Sequence, residues 1–182
     1  EMTQEASDPR HDVSEVSIRF GTGIYPGYKV EKMLRPEYVL VCSPRLIDGE
    51  TPLRSPEDLV NHILIHDKSI PVPERRPSWH EWLKLAGVSG VDTERGPRFS
   101  NSILAQEAAA DGQGVTLALR PQIEAEVAAG RLAIPFATAM PSSYAYYLVI
   151  PQAIAERPVV TAFKEWLLAE IGAPYGDRSA ID

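Results

Sequence analysis

The chain holds a single cysteine, Cys42, in 182 residues. No disulfide can close within it, and a zinc site built on cysteines is excluded. The setting of Cys42, YVLVCSP, reads as a buried strand and points to an inert core thiol. Basic residues are also scarce, 18 Lys and Arg against 25 Asp and Glu, and they form no cluster. Phosphate backbones are held largely through basic side chains, so these residues alone are a poor grip for DNA or RNA. No apolar run approaches the roughly 20 residues of a membrane-spanning helix. The opening EMTQEASDPRHD lacks the apolar centre of a secretion signal, and a cytoplasmic protein is the default expectation. Apolar content is nonetheless sufficient for a packed core, in one domain of ordinary size or two small lobes.

Catalytic and cofactor signatures are missing too. There is no Gly-x-Ser-x-Gly elbow. His66 and Asp67 are neighbours, and in a strand their side chains face opposite ways, so they cannot easily serve one another in a triad. His62 and His66 have the four-residue spacing of metal ligands on a helix, but the intervening run suggests that the helix ends near His62. No metal and no cofactor are expected, and no enzymatic activity. His66, at the end of an apolar strand, is kept as a cleft candidate. The loop GTGIYPG lacks the Gly-x-Gly-x-x-Gly spacing and no helix opens after it. It reads as a glycine-rich turn at a strand end, with Thr22 or Tyr25 able to face a ligand.

What is present alternates strands with helices. Residues 1–12 read as a loose lead-in, Val13–Phe20 alternates like a strand, and Tyr38–Cys42 is a second strand. SPEDLVNHI reads as a short helix capped by Ser55 with Pro56 at its first position. Ile63–Ile65 is a short buried strand, SIPVPERRP a surface loop, and Trp79–Ala86 a helix closed by Gly87. Trp79 and Trp82 are expected to pack rather than to form an aromatic cage. Val115–Leu119 is a strand, Gln122–Ala129 a helix stopped by Gly130, and Leu132–Phe136 and Tyr144–Ile150 are strands. The last helix, Pro158–Ile171, is expected to bury Val160, Phe163, Trp166 and Leu167, ahead of a ragged tail. This order argues for α/β layering with largely parallel sheets, whose ligands sit beyond the carboxyl ends of strands.

One stretch, RFSNSILAQEAAADGQGVTLALRP, concentrates hydrogen-bonding groups at such a place. Ser100, Asn101 and Ser102 all suit a helix amino-cap, and one would be enough. The others leave spare groups beside free N–H groups and the positive end of the helix dipole, an arrangement that suits a small anion. A plain cap, a ligand contact and a catalytic serine are the three readings. The strand Val115–Leu119 delivers Arg120 near the same crevice, where it either pairs with an anion or is a solvated arginine.

Several pieces together resemble the effector-binding domain of LysR-type transcriptional regulators, in the subgroup around the glycine-cleavage-operon activator. They are VSIRFGTGIYPG, YVLVCSPRLI, SPEDLVNHILIH, WHEWLKLAGV, GPRFSNSILAQEAAADGQGVTLALRP, AGRLAIPF, SSYAYYLVIPQ and RPVVTAFKEWLLAE, spanning about residues 13 to 171. Where the family usually has an aspartate and an alanine, this chain has Glu15 and Ser17. The resemblance implies a periplasmic-binding-protein type 2-like α/β fold of two Rossmann-like lobes joined by two crossover strands. It implies lobe one at 1–64 plus 147–182, incomplete at its amino end, and lobe two at 65–146. His66 and Tyr146 then fall at the crossovers, and the Ser100 helix start, Thr116 and Arg120 face the cleft. The implied function is sensing: a small anionic effector binds between the lobes of a bacterial transcription regulator. Its DNA-binding winged helix-turn-helix lies outside these residues, and the regulator is a homodimer or homotetramer. The alternative is a solute-binding protein of a transport system, which shares the fold.

Overall fold

A computed structural model of the chain describes residues 16–172. The lead-in, the start of the Val13–Phe20 strand and the tail lie outside the described residues. The chain divides into two compact units, one holding the residues up to Arg35 together with those from Tyr144 on, the other Pro36–Ser143.

The first unit is an antiparallel sheet of β1 (Ser17–Gly21), β8 (Ala145–Pro151) and β2 (Tyr28–Leu34), in the order β1-β8-β2. β8 is the central strand, and its long apolar run AYYLVIP is what a strand with two neighbours needs. α4 (Pro158–Gly172) packs on one face of the sheet. Leu148 and Ile150 meet Ile154, Ala155 and Val160 there, with Met33 and Leu167 alongside. β2 was not anticipated, because charges interrupt the apolar alternation of YKVEKML. Two of those charges have partners: Glu31 pairs with Lys164 at 3.4 Å and Lys29 with Glu156 at 3.1 Å.

α4 departs from expectation. Val160 is buried and Leu167 packs on the core, but Phe163 is 40% and Trp166 58% exposed. With Val159 at 72% and the exposed Ala162 and Ala169, they form an apolar stripe on the solvent side. The helix is apolar on both sides, the pattern of a helix covered all round.

The second unit is a five-stranded sheet in the order β5-β4-β6-β3-β7. Its strands are β3 (Glu37–Cys42), β4 (Leu64–Asp67), β5 (Arg98–Phe99), β6 (Val115–Leu119) and β7 (Ala139–Pro141). β6 pairs parallel with β4 and antiparallel with β3. The expectation of largely parallel sheets is therefore wrong. Only β4–β5 and β4–β6 are parallel among the named strand pairs, because β3 runs against both of its neighbours, β6 and β7, and β8 against β1 and β2. Leu132–Phe136 is likewise not a strand. Pro135 interrupts it, and only Ala133 bridges Cys42. β7 supplies the edge instead, where Pro141 pairs with Glu37 on one side only and its missing N–H interrupts no second ladder. SPEDLVNHI forms a 3-10 helix, Pro56–Asn61, with Ser55 and Asp58 in a capping box.

α1 (Trp79–Ala86) starts at the Ser78 cap and ends at Gly87 in the left-handed region, and it packs Trp79 and Trp82 inward. α2 (Ser102–Ala110) presents Ala105, Ala108 and Ala109 to Val39, Val41, Ile65 and Ala118. α3 (Arg120–Ala128) adds Ile123 to that core. Cys42 is fully buried, and burial pushes its thiol up to about 11, as an inert core thiol requires.

The chain passes from one unit to the other at Arg35–Pro36 and Ser143–Tyr144, whereas the resemblance implied divisions at 64/65 and 146/147. The pairing of β3 with β6 places Tyr38–Cys42 in the second unit, and His66 lies inside that unit rather than at a crossing.

Candidate functional site

β5, β4 and β6 run parallel, so Phe99, Asp67 and Leu119 end at the same side of the second unit. Two residues separate β5 from α2, and α3 begins directly after β6. Two helix amino-termini therefore open at the carboxyl ends of three adjacent strands, and their N–H groups and dipoles favour negative charge there.

Asn101 is the cap of α2. Its Oδ1 accepts from Ile103 N at 2.8 Å and from Leu104 N at 3.4 Å. The capping requirement is met by that one side chain, which leaves Ser100 exposed and Ser102 free to bond elsewhere. Ser102 Oγ lies 2.9 Å from Ser69 Oγ. Ser69 in turn donates its backbone N–H to Asp67 Oδ1 at 2.8 Å, a short turn that brings the loop after β4 against the start of α2. Ser69 was hidden from sequence reasoning because it opens a proline-rich run. The available signal was the Asp-x-Ser turn itself.

Arg120 is the first residue of α3. Its Nε is sealed from solvent and has no hydrogen-bond partner. Burying such a donor unpaired costs on the order of 1–3 kcal/mol, more for a charged group. Gln106 and Gln122 touch at 3.4 Å and tie the second turn of α2 to the first turn of α3.

Other expected residues stand apart. Thr116 is 1% exposed, and its hydroxyl donates to the Ile65 carbonyl at 3.3 Å, so it braces β6 against β4 rather than facing an opening. His66 Nε2 lies 3.4 Å from the Arg95 carbonyl, in the turn before β5. Thr22 is exposed and follows β1 in the first unit. No group of three His, Cys, Asp or Glu side chains that could hold a metal occurs among the described residues. No helix among them is long and apolar enough to cross a membrane.

Burial holds His66 below its ordinary 6.5, with Arg98 and Lys68 adding to it against the Arg95 carbonyl. Burial also lowers His62, against Asp58 and the Pro52 carbonyl. For a base depressed by folding, the unfolded chain takes up the proton first as pH falls. Stability is therefore full above the unfolded value and lost as pH drops through the interval down to each folded value. The melting temperature is expected to begin falling as pH drops through the ordinary histidine range near 6.5, and to go on falling below it. Scanning calorimetry on the parent and on a His62→Gln/His66→Gln variant checks this. A profile equally steep in both would assign the slope to other groups. Asp58, held low by the backbone N–H groups of Ser55 and Arg54, acts only in the carboxylate range below.

Residues 10–172 match the family model described as LysR substrate binding domain. The glycine cleavage system transcriptional activator of Escherichia coli K12 is 41% identical over 167 residues, covering 91% of this chain and 52% of that protein. The transcriptional activator AmpR of Pseudomonas aeruginosa is 30% identical, covering 85% of this chain and 49% of its own. The chain thus spans about half the length of the curated relatives it matches. The solved effector domain of AmpR from Pseudomonas aeruginosa superimposes with a TM-score of 0.74 at 26% identity, covering 95% of this chain and 80% of that one. These relatives are transcriptional activators rather than transport proteins, which sets aside the solute-binding alternative. The chain has the periplasmic-binding-protein type 2-like fold and belongs to the LysR substrate-binding family, as the effector-binding domain of a LysR-type transcriptional regulator.

Proposed function

We propose that the carboxyl ends of β5, β4 and β6 take up a small anionic effector, held by Arg120, the Ser100 and Ser102 hydroxyls and the amino-termini of α2 and α3. The observation that carries this is the buried, unpartnered Arg120 Nε beside two helix starts. Asn101 serves the site by capping α2, and Ser69 joins it through Ser102. Thr116 acts only as a brace, and Thr22 and His66 are left out of the contact set. The domain performs no catalysis. Its ligand acts by differential affinity for two conformations of the regulator, and it can shift their balance by no more than that difference.

In the intact protein a winged helix-turn-helix outside these residues contacts DNA, and the regulator works in the cytoplasm as a homodimer or homotetramer. Its genes include those of glycine cleavage, as the name of the 41% identical relative suggests. The first unit is the incomplete lobe, and further regulator chain covers the outer stripe of α4. The exposed Val159, Phe163 and Trp166 support that reading.

A thermal-shift screen against small carboxylates, amino acids and aromatic acids tests the site. A ligand at a hundredfold excess over Kd adds about 2.7 kcal/mol. A hit is expected to weaken in the Ser100→Ala/Ser102→Ala protein more than folding does. Undiminished affinity in that folded variant would sink the contact set.

A further inference from the structure

Two Asp-Gly pairs occur in the sequence, Asp48-Gly49 and Asp111-Gly112. An aspartate followed by glycine is open to attack by the main chain on its own side chain, because no Cβ on the next residue hinders the approach. The fold treats the two pairs differently.

Asp111-Gly112 closes α2. Asp111 has a φ of −72° and a ψ of −4°, and the Gly112 N–H donates to the Ala109 carbonyl at 3.0 Å. The Gln113 N–H adds a bond to the Ala108 carbonyl at 3.0 Å. At that ψ the Gly112 nitrogen nearly eclipses the nitrogen of Asp111 and is turned away from the Asp111 Cβ. Closing a ring onto the side chain would unwind the helix end and break the bond to Ala109.

Asp48-Gly49 lies in the loop after β3, where residues 47–52 form no helix or strand. Both residues are exposed, and the Gly49 N–H makes no hydrogen bond among the described residues. The ion pair of Asp48 with Arg54, at 3.6 Å, joins two largely exposed side chains and restrains the carboxyl little. The loop ends are fixed, since the Leu53 N–H donates to the Leu46 carbonyl at 2.8 Å and Leu53 is fully buried. Position 49 is held to glycine, because a Cβ there would lie 2.6 Å from the Arg45 carbonyl oxygen. The packing that demands glycine thus leaves a bare nitrogen next to the Asp48 side chain.

We infer that Asp48 is a site of spontaneous modification, at which the folded domain converts aspartate to isoaspartate. The Gly49 nitrogen bonds to Cγ of the protonated side chain, and its hydrogen leaves with the side-chain hydroxyl as water. The cyclic imide then takes up water at one of its two carbonyls. Opening at the main-chain carbonyl carries the chain on through Cγ and frees a carboxylate on Cα. Opening at the other restores aspartate. No reactant other than water takes part. The product has one extra methylene in the main chain between Leu46 and Leu53. Cys42, at the end of β3, pairs with Val115 at the start of β6, so this loop lies at the end of the sheet away from Arg120. The change marks the age of the domain without touching the effector site proposed above.

The test is incubation of the chain in warm neutral buffer made with heavy-oxygen water, since each passage through the imide adds one heavy oxygen. Trypsin, used afterwards in ordinary water, releases the two positions in separate peptides, Leu46–Arg54 and Phe99–Arg131. Fragment masses then place the label and identify isoaspartate. The chain unfolded in guanidinium is the reference, in which both pairs react freely. In the folded protein Asp48 is expected to take up label at close to that reference rate and to accumulate isoaspartate. Asp111 is expected to lag about tenfold or more behind the reference. Asp48→Glu, whose side chain would have to close a six-membered ring, is expected to leave Leu46–Arg54 unlabelled. Protection of Asp48 equal to that of Asp111 would overturn the inference. So would label that persists in Leu46–Arg54 of the Asp48→Glu protein.

Discussion

The Arg120→Ala protein is expected to bind a carboxylate effector roughly 10- to 150-fold more weakly than the parent while melting no lower. The factor is that of losing hydrogen bonds to a charged group, about 1.5–3 kcal/mol. The melting behaviour follows from the state of the side chain. Nε is buried without a partner, so its removal forfeits no hydrogen bond and relieves a desolvated donor. Arginine residues whose role is structural behave in the opposite way, because truncating them strands a partner and lowers stability. Arg120→Lys is the finer probe. It keeps the charge and loses the fork, so it should recover only part of the affinity. Calorimetric titration of the three proteins with the ligand found by screening decides the matter. An alanine variant that melts lower and binds as well as the parent would make Arg120 a packing residue.

Gly96→Ala should cause the largest loss of stability. A Cβ there would lie 2.0 Å from the Leu64 carbonyl oxygen, and the backbone φ is 126°. Leu64 cannot retreat, since it is buried and pairs with Val115 of β6. The strain must displace β5, breaking the bonds from His66 N to Pro97 O and from Lys68 N to Phe99 O. Strained backbone at 1–3 kcal/mol and two hydrogen bonds at about 1 kcal/mol each give about 3 kcal/mol or more, against 5–15 for a whole domain. Gly90→Ala is the control, with φ at 83° and nothing within 4 Å of its Cβ. Urea unfolding should separate the two clearly. Equal midpoints would show that the close approach at Leu64 is soft. Because β5 leads directly into the Asn101 cap, effector affinity should fall with stability in the Gly96 variant only.

The parts of this fold that were legible in the sequence are those with local causes. Trp79–Ala86 begins and ends where Ser78 and Gly87 demand, and Val115–Leu119 shows itself as an apolar run broken only by Thr116. Asn101, Ser100 and Ser102 announced a helix start, but which of them is the cap is decided by the bonds from Ile103 N and Leu104 N, and both go to Asn101. What escaped depends on distant partners. β2 is a strand because β8 lies beside it, and two of its charges are held by residues more than a hundred positions away. Thr116 looked like a cleft residue until Ile65 was seen to take its hydroxyl. Ser69 joined the site through a turn buried in a proline-rich run. The antiparallel β3–β6 pairing, which moves Tyr38–Cys42 into the second unit, is a matter of topology that alternation alone does not encode.

The tryptophans divide unevenly between the two units. Trp79 and Trp82 are 4% and 0% exposed in the second, whereas Trp166 is 58% exposed on α4 in the first. The chain thus carries its own optical reporter. A collisional quencher such as iodide reaches one indole and spares two, so the quenchable fraction of the emission belongs to α4. Any chain that settles on the Val159–Phe163–Trp166 stripe would move that fraction to shorter wavelength and shield it. The other two indoles are bonded inside the second unit, Trp79 to the Ile65 carbonyl and Trp82 to the Thr138 carbonyl, and contribute the unquenched remainder. Assembly on α4 can therefore be read in one cuvette and without a label.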